Sequence, residues 1–402
     1  MDQIPTLRLK AGEERRLRAG HLWVFSNEVD TDRTPLRAFG PGDPAVVVDA
    51  RGRALGRAYV NPGSLICARL VSRDPAVGLD RATLVQRLRT ALSLRERLFA
   101  APCYRLVHAE ADGLPGLVVD RYGDVCVIQP NTAGMEAVLD QVVEALERVA
   151  APAAILIRAD SPVRELEGLE RSVWWAGGGG PEELRVEEGG LTFHVPAVGG
   201  QKTGWYYDQR VNRARFAAYV AGARVLDAYS YAGGFAVAAA AAGASEVVAV
   251  ERSAAACQRI AANAAANGVG ERVTVVEGDA SAYLAAARAD GERFDAAVVD
   301  PPAFVKRKRD LRAGERAYRQ INEAALRLLG REGVLLTCSC SSHLPADRLA
   351  AIVLAAGRHL DRSPRILERG GPGPDHPIHP AIPETDYLKA LFVRAVISSA
   401  LP

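Results

Sequence analysis

Over the first 72 residues, apolar and polar positions alternate in short runs, Thr6 to Lys10, His21 to Phe25, Ala45 to Asp49, Ala54 to Val60 and Leu65 to Val71, separated by turn residues. Alternation with period two marks half-buried strands, and runs at this spacing predict a small β-barrel. From Asp80 to Ala100 the period becomes helical, with Leu84, Leu88 and Leu92 on one face. Strands are expected at Leu106 to Glu110, Leu117 to Asp120 and Val125 to Gln129, joined by turns at Asp112-Gly113 and Tyr122-Gly123-Asp124. A helix from Met135 to Val149 and a strand from Ala154 to Arg158 complete an α+β domain, and the run Gly177 to Pro181 reads as a hinge or surface loop.

After a further run, Leu191 to Val195, the pattern turns into β-α-β. Val225-Leu226 ends in Asp227 and a Gly233-Gly234 turn, an Ala-rich helix follows, and the β-branched run Val247 to Val250 closes with Glu251. Strands at Val273 to Val276, Ala296 to Val299 and Gly333 to Thr337, helices at Glu315 to Leu329 and Ala346 to Arg358, and strand pieces from Leu388 to Ile397 continue the alternation into a doubly wound sheet. The expected organisation is therefore a β-barrel in 1–72, an α+β domain in 73–185 and an α/β, Rossmann-like domain in 186–402.

Composition narrows the classes. The 402 residues are 49% apolar, ample for more than one core, and the net charge of +2 leaves any nucleic-acid affinity to local patches. Six cysteines, at 67, 103, 126, 257, 338 and 340, form no C-x-x-C pair, which suits a reducing compartment and suggests neither zinc nor a redox dithiol. The polar N-terminus and the lack of a long apolar run point to a cytoplasmic protein with no metal and no membrane partner. Only five lysines occur (10, 202, 306, 308 and 389), so each stands out against the arginines.

Ligands of such sheets bind at the carboxyl ends of the strands, where Asp227, Glu251, Asp279, Asp300 and Cys340 are expected. The glycine pair lets backbone approach a ligand, but the three-glycine turn of a dinucleotide site is missing, and an acid there repels pyrophosphate. Acids at three strand ends suit S-adenosylmethionine, which carries an ammonium and a sulfonium and no phosphate. Glu251 would take the ribose hydroxyls and Asp279 the adenine amine. The flanking Tyr229, Ser230, Tyr231, Gly233, Gly234, Arg252, Ser253, Ala280 and Pro301 join the expected cofactor set, with Asp300. The polar stretch from Gln201 to Arg210 adds Lys202, Thr203, Tyr207, Asp208 and Arg210 as residues able to close over the cofactor.

Asp300-Pro-Pro-Ala-Phe304 turns the chain out of the sheet, offering an acid for a heterocycle and a ring for stacking a base. A cysteine beside a stacked pyrimidine has a specific use: thiolate addition at C6 makes C5 nucleophilic. Cys338 and Cys340 share a strand face, and Cys340 is preferred because it lies further past the strand end. From Lys306 to Arg319 seven basic residues face two acids, so Lys306, Arg307, Lys308 and Arg309 are candidate phosphate contacts. Arg8, Lys10 and Arg15 beside Trp23 form a second candidate RNA edge, for which a solvated face is an equal reading.

The segments HLWVFSNEV, EADGLPGLVVDRYGD, QKTGWYYDQR, VLDAYSYAGGF, DPPAFVKRKRD, TCSCSSH and DHP resemble the RlmI-type bacterial 23S rRNA (cytosine-5) methyltransferases across nearly the whole chain. The resemblance implies an N-terminal PUA domain for RNA, a central EEHEE-type α+β domain, a Rossmann-like methyltransferase domain and a homodimer. It also implies S-adenosylmethionine as cofactor, 23S rRNA or its large-subunit precursor as partner, Cys340 as nucleophile, Asp227, Glu251 and Asp279 as cofactor acids, and Asp300 as pocket acid. Many RNA 5-methylcytosine enzymes carry a second cysteine in a P-C-S turn. Asp300-Pro301-Pro302 has none, so another group, such as Asp300 with water, would help expel Cys340. A guanine methyltransferase with direct nitrogen attack and a non-catalytic RNA-binding assembly factor are the alternatives.

Overall fold

Residues 4–397 are described by a computed structural model, and they group into two units. The first runs to Leu184 and takes in Pro196–Trp205 and Pro374–Thr385; the second comprises Arg185–Val195, Tyr206–Gly373 and the chain from Asp386.

In the first unit, β1 (Thr6–Arg8), β2 (Trp23–Phe25), β3 (Asp43–Val48), β4 (Ala54–Val60) and β5 (Ile66–Ser72) form a sheet of order β1-β3-β4-β5-β2, antiparallel except for the β1–β3 pair. Its alternating inward positions, Leu7, Val24, Val47, Val60 and Leu70, make a core of their own, closed by Leu17 of the short helix α1 (Glu14–Arg18). The second sheet has the order β10-β9-β8-β7-β6, from β6 (Cys103–His108), β7 (Leu117–Tyr122), β8 (Val125–Pro130), β9 (Ala154–Ala159) and β10 (Ser172–Ala176). Helix α2 (Arg81–Leu98) starts where the Asp80 carboxylate accepts the Thr83 amide, and its leucines pack with those of α4 (Leu139–Ala150) on this sheet. The single helix expected from Met135 is two, α3 (Ala133–Ala137) and α4, with Val138 leaving helical geometry between them. A short helix, α5 (Val163–Leu166), precedes β10, a strand that the sequence pattern does not reveal.

Two segments expected in the third domain belong instead to this first unit, and a buried ionic network explains why. Arg95, fully buried, makes paired bonds of 2.7 Å to Asp112 and donates to the Asp375 carbonyl at 2.8 Å. Arg105 is paired with Asp120, and its amide donates to the Asp375 carboxylate at 3.0 Å. Asp120 also accepts the Thr203 hydroxyl, and the Trp205 amide donates to Tyr122 Oη at 3.0 Å. Buried arginines left unpaired would cost several kcal/mol, so residues 196–205 and 374–385 are held where these partners are.

The second unit opens with the hairpin β11 (Glu183–Glu188) and β12 (Leu191–Pro196). Its main sheet has the order β15-β14-β13-β16-β17-β19-β18. The strands are β13 (Arg224–Ala228), β14 (Glu246–Glu251), β15 (Val273–Glu277), β16 (Phe294–Val299), β17 (Leu329–Ser339), β18 (Arg362–Gly370) and β19 (Lys389–Ile397). The first five are parallel, and β19 runs antiparallel between β17 and β18. The helices are α6 (Arg210–Ala217), α7 (Gly234–Ala241), α8 (Ala254–Ala266), α9 (Ala280–Ala289), α10 (Leu311–Leu328) and α11 (Ala346–Arg358). The order reverses between β13 and β16, and sheets of this kind bind ligands at the carboxyl ends of the strands beside such a switch point.

Close packing in the first unit is testable at Gly134, where an added Cβ would lie 2.2 Å from the Tyr59 ring. Gly134→Ala is expected to destabilise by about 1–3 kcal/mol, read as a lower urea midpoint. An unchanged midpoint would show that Tyr59 moves aside freely.

Candidate active site

At the end of β13 the chain makes three left-handed turns within five residues: Tyr229 (φ 69°), Tyr231 (φ 54°) and Gly233 (φ 82°). Two of these are non-glycine, a conformation that costs about 1–2 kcal/mol each unless the surroundings impose it. The surroundings do. The Tyr229 and Ser230 amides both donate to the Val250 carbonyl at 3.1 Å, and the Tyr231 amide donates to Glu251 Oε2 at 3.0 Å. Asp227 Oδ2 accepts both the Ser230 hydroxyl at 2.6 Å and the Ala236 amide at 3.0 Å, pinning the loop to the first turn of α7. A Cβ on Gly233 would sit 3.1 Å from Ile260, a tight contact, and the positive φ there strains any residue with a side chain.

The acids named from the sequence take distinct positions. Asp227 is buried, and burial pushes its carboxyl up to about 7 although its two hydrogen bonds oppose the shift. Glu251, half-buried at the end of β14, accepts the Tyr231 and Ser253 amides, one on each oxygen. Asp279 is exposed and caps α9 by accepting the Ala282 amide at 3.1 Å; Ser253 caps α8 in the same way. Arg252 is exposed, and Ala280 begins α9. Because each carboxylate oxygen accepts more than one hydrogen bond, Glu251 and Asp279 can take ligand hydroxyls and amines while keeping these backbone bonds. An acid-lined crevice with glycine at its turn fits a cationic adenosine cofactor, and its donor set fits no pyrophosphate.

A second group lies at the ends of β16 and β17. The Asp300 amide approaches the Ala228 carbonyl at 3.5 Å, tying this strand end to the cofactor loop. Gln209 Nε2 donates to Asp300 Oδ2 at 2.8 Å, while Gln209 Oε1 accepts from Asn212 Nδ2 at 2.6 Å. Asn212 on α6 thereby orients the amide that orients the acid. Asp208 accepts the Tyr387 hydroxyl at 2.6 Å. Tyr206 stands edge-on to Tyr231, with ring centroids 5.4 Å apart, and burial followed by the charges of Asp300, Tyr231, Asp208 and Cys340 raises its phenol far above the ordinary value. It stays a neutral hydroxyl.

The two cysteines left open by the sequence now differ. Cys338 is wholly buried within β17, and burial drives its thiol well above the ordinary value. Cys340 is half-buried, one residue past the strand. Its neighbours Ser339 and Ser341 are buried and both bond the Tyr318 hydroxyl, at 2.9 and 3.0 Å, and Ser341 Oγ also accepts the Val305 amide of the Asp300–Val305 turn. Three elements thus fix the backbone on either side of the thiol.

Other expected residues are placed differently. Thr203, expected to close over the cofactor, belongs to the first unit, fully buried with its hydroxyl on Asp120; Lys202, at φ 48°, lies in the same segment. Tyr207 is buried with the Arg210 guanidinium 5.2 Å from its ring centre, and Arg210 Nε lies 3.4 Å from Glu188. Pro301 is buried in the turn, and Phe304 is half-buried, tilted against Tyr318 at 4.8 Å. Lys306, Arg307, Lys308 and Arg309 are exposed. On the N-terminal edge, Arg15 is exposed, whereas Arg8 donates to the Ala50 carbonyl, Lys10 to the Asn27 carbonyl and the Trp23 indole to Glu110. The polar ends of these three side chains thus bond within the first unit, while Lys10 stays exposed. The sequence reading missed Gln209, Tyr206, Asn212, Tyr387 and Lys389. The first two lie inside a stretch it singled out and were passed over for their charged neighbours; Lys389 opens an antiparallel strand without a motif, and Tyr387 lies two residues before that strand.

The fold and this crevice define a methyltransferase of the S-adenosylmethionine-dependent class carrying an N-terminal PUA-like domain. Residues 129–394 match the S-adenosylmethionine-dependent methyltransferase family and residues 7–73 the PUA-like domain. Curated relatives named ribosomal RNA large subunit methyltransferase I are similar over nearly the full length: 38% identity in Photobacterium profundum, covering 96% of this chain and 98% of the relative, and 38% in Tolumonas auensis, covering 97% and 99%. The chain belongs to the ribosomal RNA large subunit methyltransferase I family. In fold it is similar to the crystal structure of SMU.776, a methyltransferase complexed with SAH, with a TM-score of 0.84 at 20% identity over 97% of this chain and 100% of the other. Its cofactor is S-adenosylmethionine.

Asp227 yields a pH test. Its folded-state value lies above the ordinary 3.8, so the proton is held more tightly when folded; the resulting stabilisation is full below that value and is lost as pH rises through about 7. Asp227→Asn cannot titrate. The difference in unfolding free energy between wild type and variant should move against the wild type from about pH 4 to about pH 8, and a constant difference would contradict the burial argument.

Proposed function

We propose that this chain forms 5-methylcytosine in 23S ribosomal RNA, with Cys340 as the nucleophile. The observation that carries the reading is the half-buried Cys340 just past the end of β17, its flanking serines fixed and one of them bonded to the Asp300–Val305 turn, while its neighbour Cys338 is sealed in the core. The names of the full-length relatives support ribosomal RNA as the substrate class. The exposed run Lys306–Arg309, directly after the turn, supplies cations for the phosphates flanking the target base.

S-adenosylmethionine supplies a methyl group made electrophilic by a positively charged sulfur. Glu251 and Asp279 would hold its sugar and base, and the Asp227-braced loop its amino-acid end. Phe304 offers a face for the cytosine, and Asp300, aligned by Gln209, accepts a hydrogen bond from it. Cys340 sulfur bonds to C6 as thiolate, and the C5–C6 pair shifts to C5, which takes the methyl. The C5 proton then leaves to water held by Asp300, the pair returns to C5–C6, and the C6–S bond breaks, releasing the thiolate.

Methyl transfer to protein-free 23S rRNA, followed by nucleoside analysis, tests this. Wild type should yield 5-methylcytosine and Cys340→Ala none, a loss of at least about 10⁴-fold. A methylated guanine, or a fully active variant, would overturn the thiolate mechanism and favour direct nitrogen attack. Asp300→Ala should lose turnover and accumulate a covalent protein–RNA adduct on denaturing gels; wild-type turnover would remove Asp300 from the release step.

A further inference from the structure

Of the five lysines, Lys389 alone is buried. It opens β19 opposite Ser339, the last residue of β17, and its ammonium turns toward the strand end to donate to the Ser341 carbonyl at 2.6 Å and the Tyr387 carbonyl at 2.7 Å. Those two bonds use two of its three N–H groups, and among the described residues the third has no acceptor. A charged ammonium at 7% exposure is costly, and holding two carbonyls requires only a neutral donor. The charge therefore calls for a reason. Ser341 immediately follows Cys340, and Tyr387 is the residue whose hydroxyl bonds Asp208.

We propose that Lys389 is the positioning residue for Cys340, its buried ammonium being the cation against which the thiolate forms while its two carbonyl bonds hold the Cys340–Ser341 backbone in place. The inference rests on the reading of Cys340 as nucleophile.

The groups facing Cys340 from every side are consistent with this. Tyr318 from α10, Cys338 from β17 and Tyr206 ahead of α6 interact with it electrostatically, and burial raises all three, so they remain neutral in the working range. Asp300 after β16 and Asp208 add negative charge around the same cluster, opposing a thiolate. Lys389 brings positive charge to this cluster. Burial lowers its ammonium from the ordinary value, while Asp386 and the Cys340 thiolate pull it back up.

The test compares Lys389→Gln with Lys389→Arg. Both keep a donor for the carbonyls, and only arginine keeps the charge. The first readout is alkylation of Cys340 by iodoacetamide across pH in cofactor-free protein, followed on the Cys340 peptide by mass spectrometry. Lys389→Gln should move the midpoint up by about one pH unit and slow alkylation near neutral pH about tenfold, and Lys389→Arg should restore most of both. The second readout is the pH–rate profile of methyl transfer, whose rising limb should move with the alkylation midpoint. If Lys389→Gln, with melting temperature unchanged, alkylates like wild type, the ammonium only holds the two carbonyls and the inference is wrong. If Lys389→Gln unfolds, alkylation of folded Lys389→Arg decides: a wild-type midpoint supports the role of charge and a raised one overturns it. Failure of the Cys340 reading is separate, since Cys340→Ala would then still methylate whatever the alkylation midpoints show.

Discussion

A single buried carboxylate holds the catalytic end of the sheet in shape. Asp227 joins the Ser230 hydroxyl and the Ala236 amide, and these bonds, with those to Val250 and Glu251, hold two tyrosines in left-handed backbone. That loop sets where Tyr231 meets both Glu251 and the ring of Tyr206. The acid at the end of β14, the aromatic wall of the crevice and the start of α7 are all placed from one oxygen atom.

Around it the site is built by relays in which one side chain fixes the next. Asn212 turns Gln209, which turns Asp300. Tyr318 gathers Ser339 and Ser341, and the residue between them acquires a defined position although its own side chain is only half enclosed. Such an arrangement keeps a reactive group accessible without leaving it loose, because the rigidity resides in buried neighbours rather than in the group itself.

Much of this was legible in the amino-acid order. The β-α-β pattern around Val225–Glu251, the acids at strand ends and the Asp300 turn all follow from periodicity and from the geometry of parallel sheets. What stayed hidden was of two kinds. Lys389 reaches the site from β19, and Tyr387 from the segment just before it; the antiparallel insertion of β19 between β17 and β18 has no local signature. The attachments of Thr203 to Asp120 and of Asp375 to the two buried arginines lie far away in sequence and depend on charge compensation that no window of residues displays. Nor does the amino-acid order show that the polar ends of Arg8, Lys10 and Trp23 bond within their own unit.

The exchange of segments between the units has a consequence for how the molecule comes into being. Arg95 and Arg105 are made early during synthesis, but Asp375, which accepts hydrogen bonds from both, emerges some 270 to 280 residues later. The N-terminal half of the chain therefore cannot reach its final packing while the ribosome is still translating the second unit, and no single cut yields two pieces that each contain all their own parts. Its units are interleaved along the chain, so a cut placed between them by sequence divides at least one.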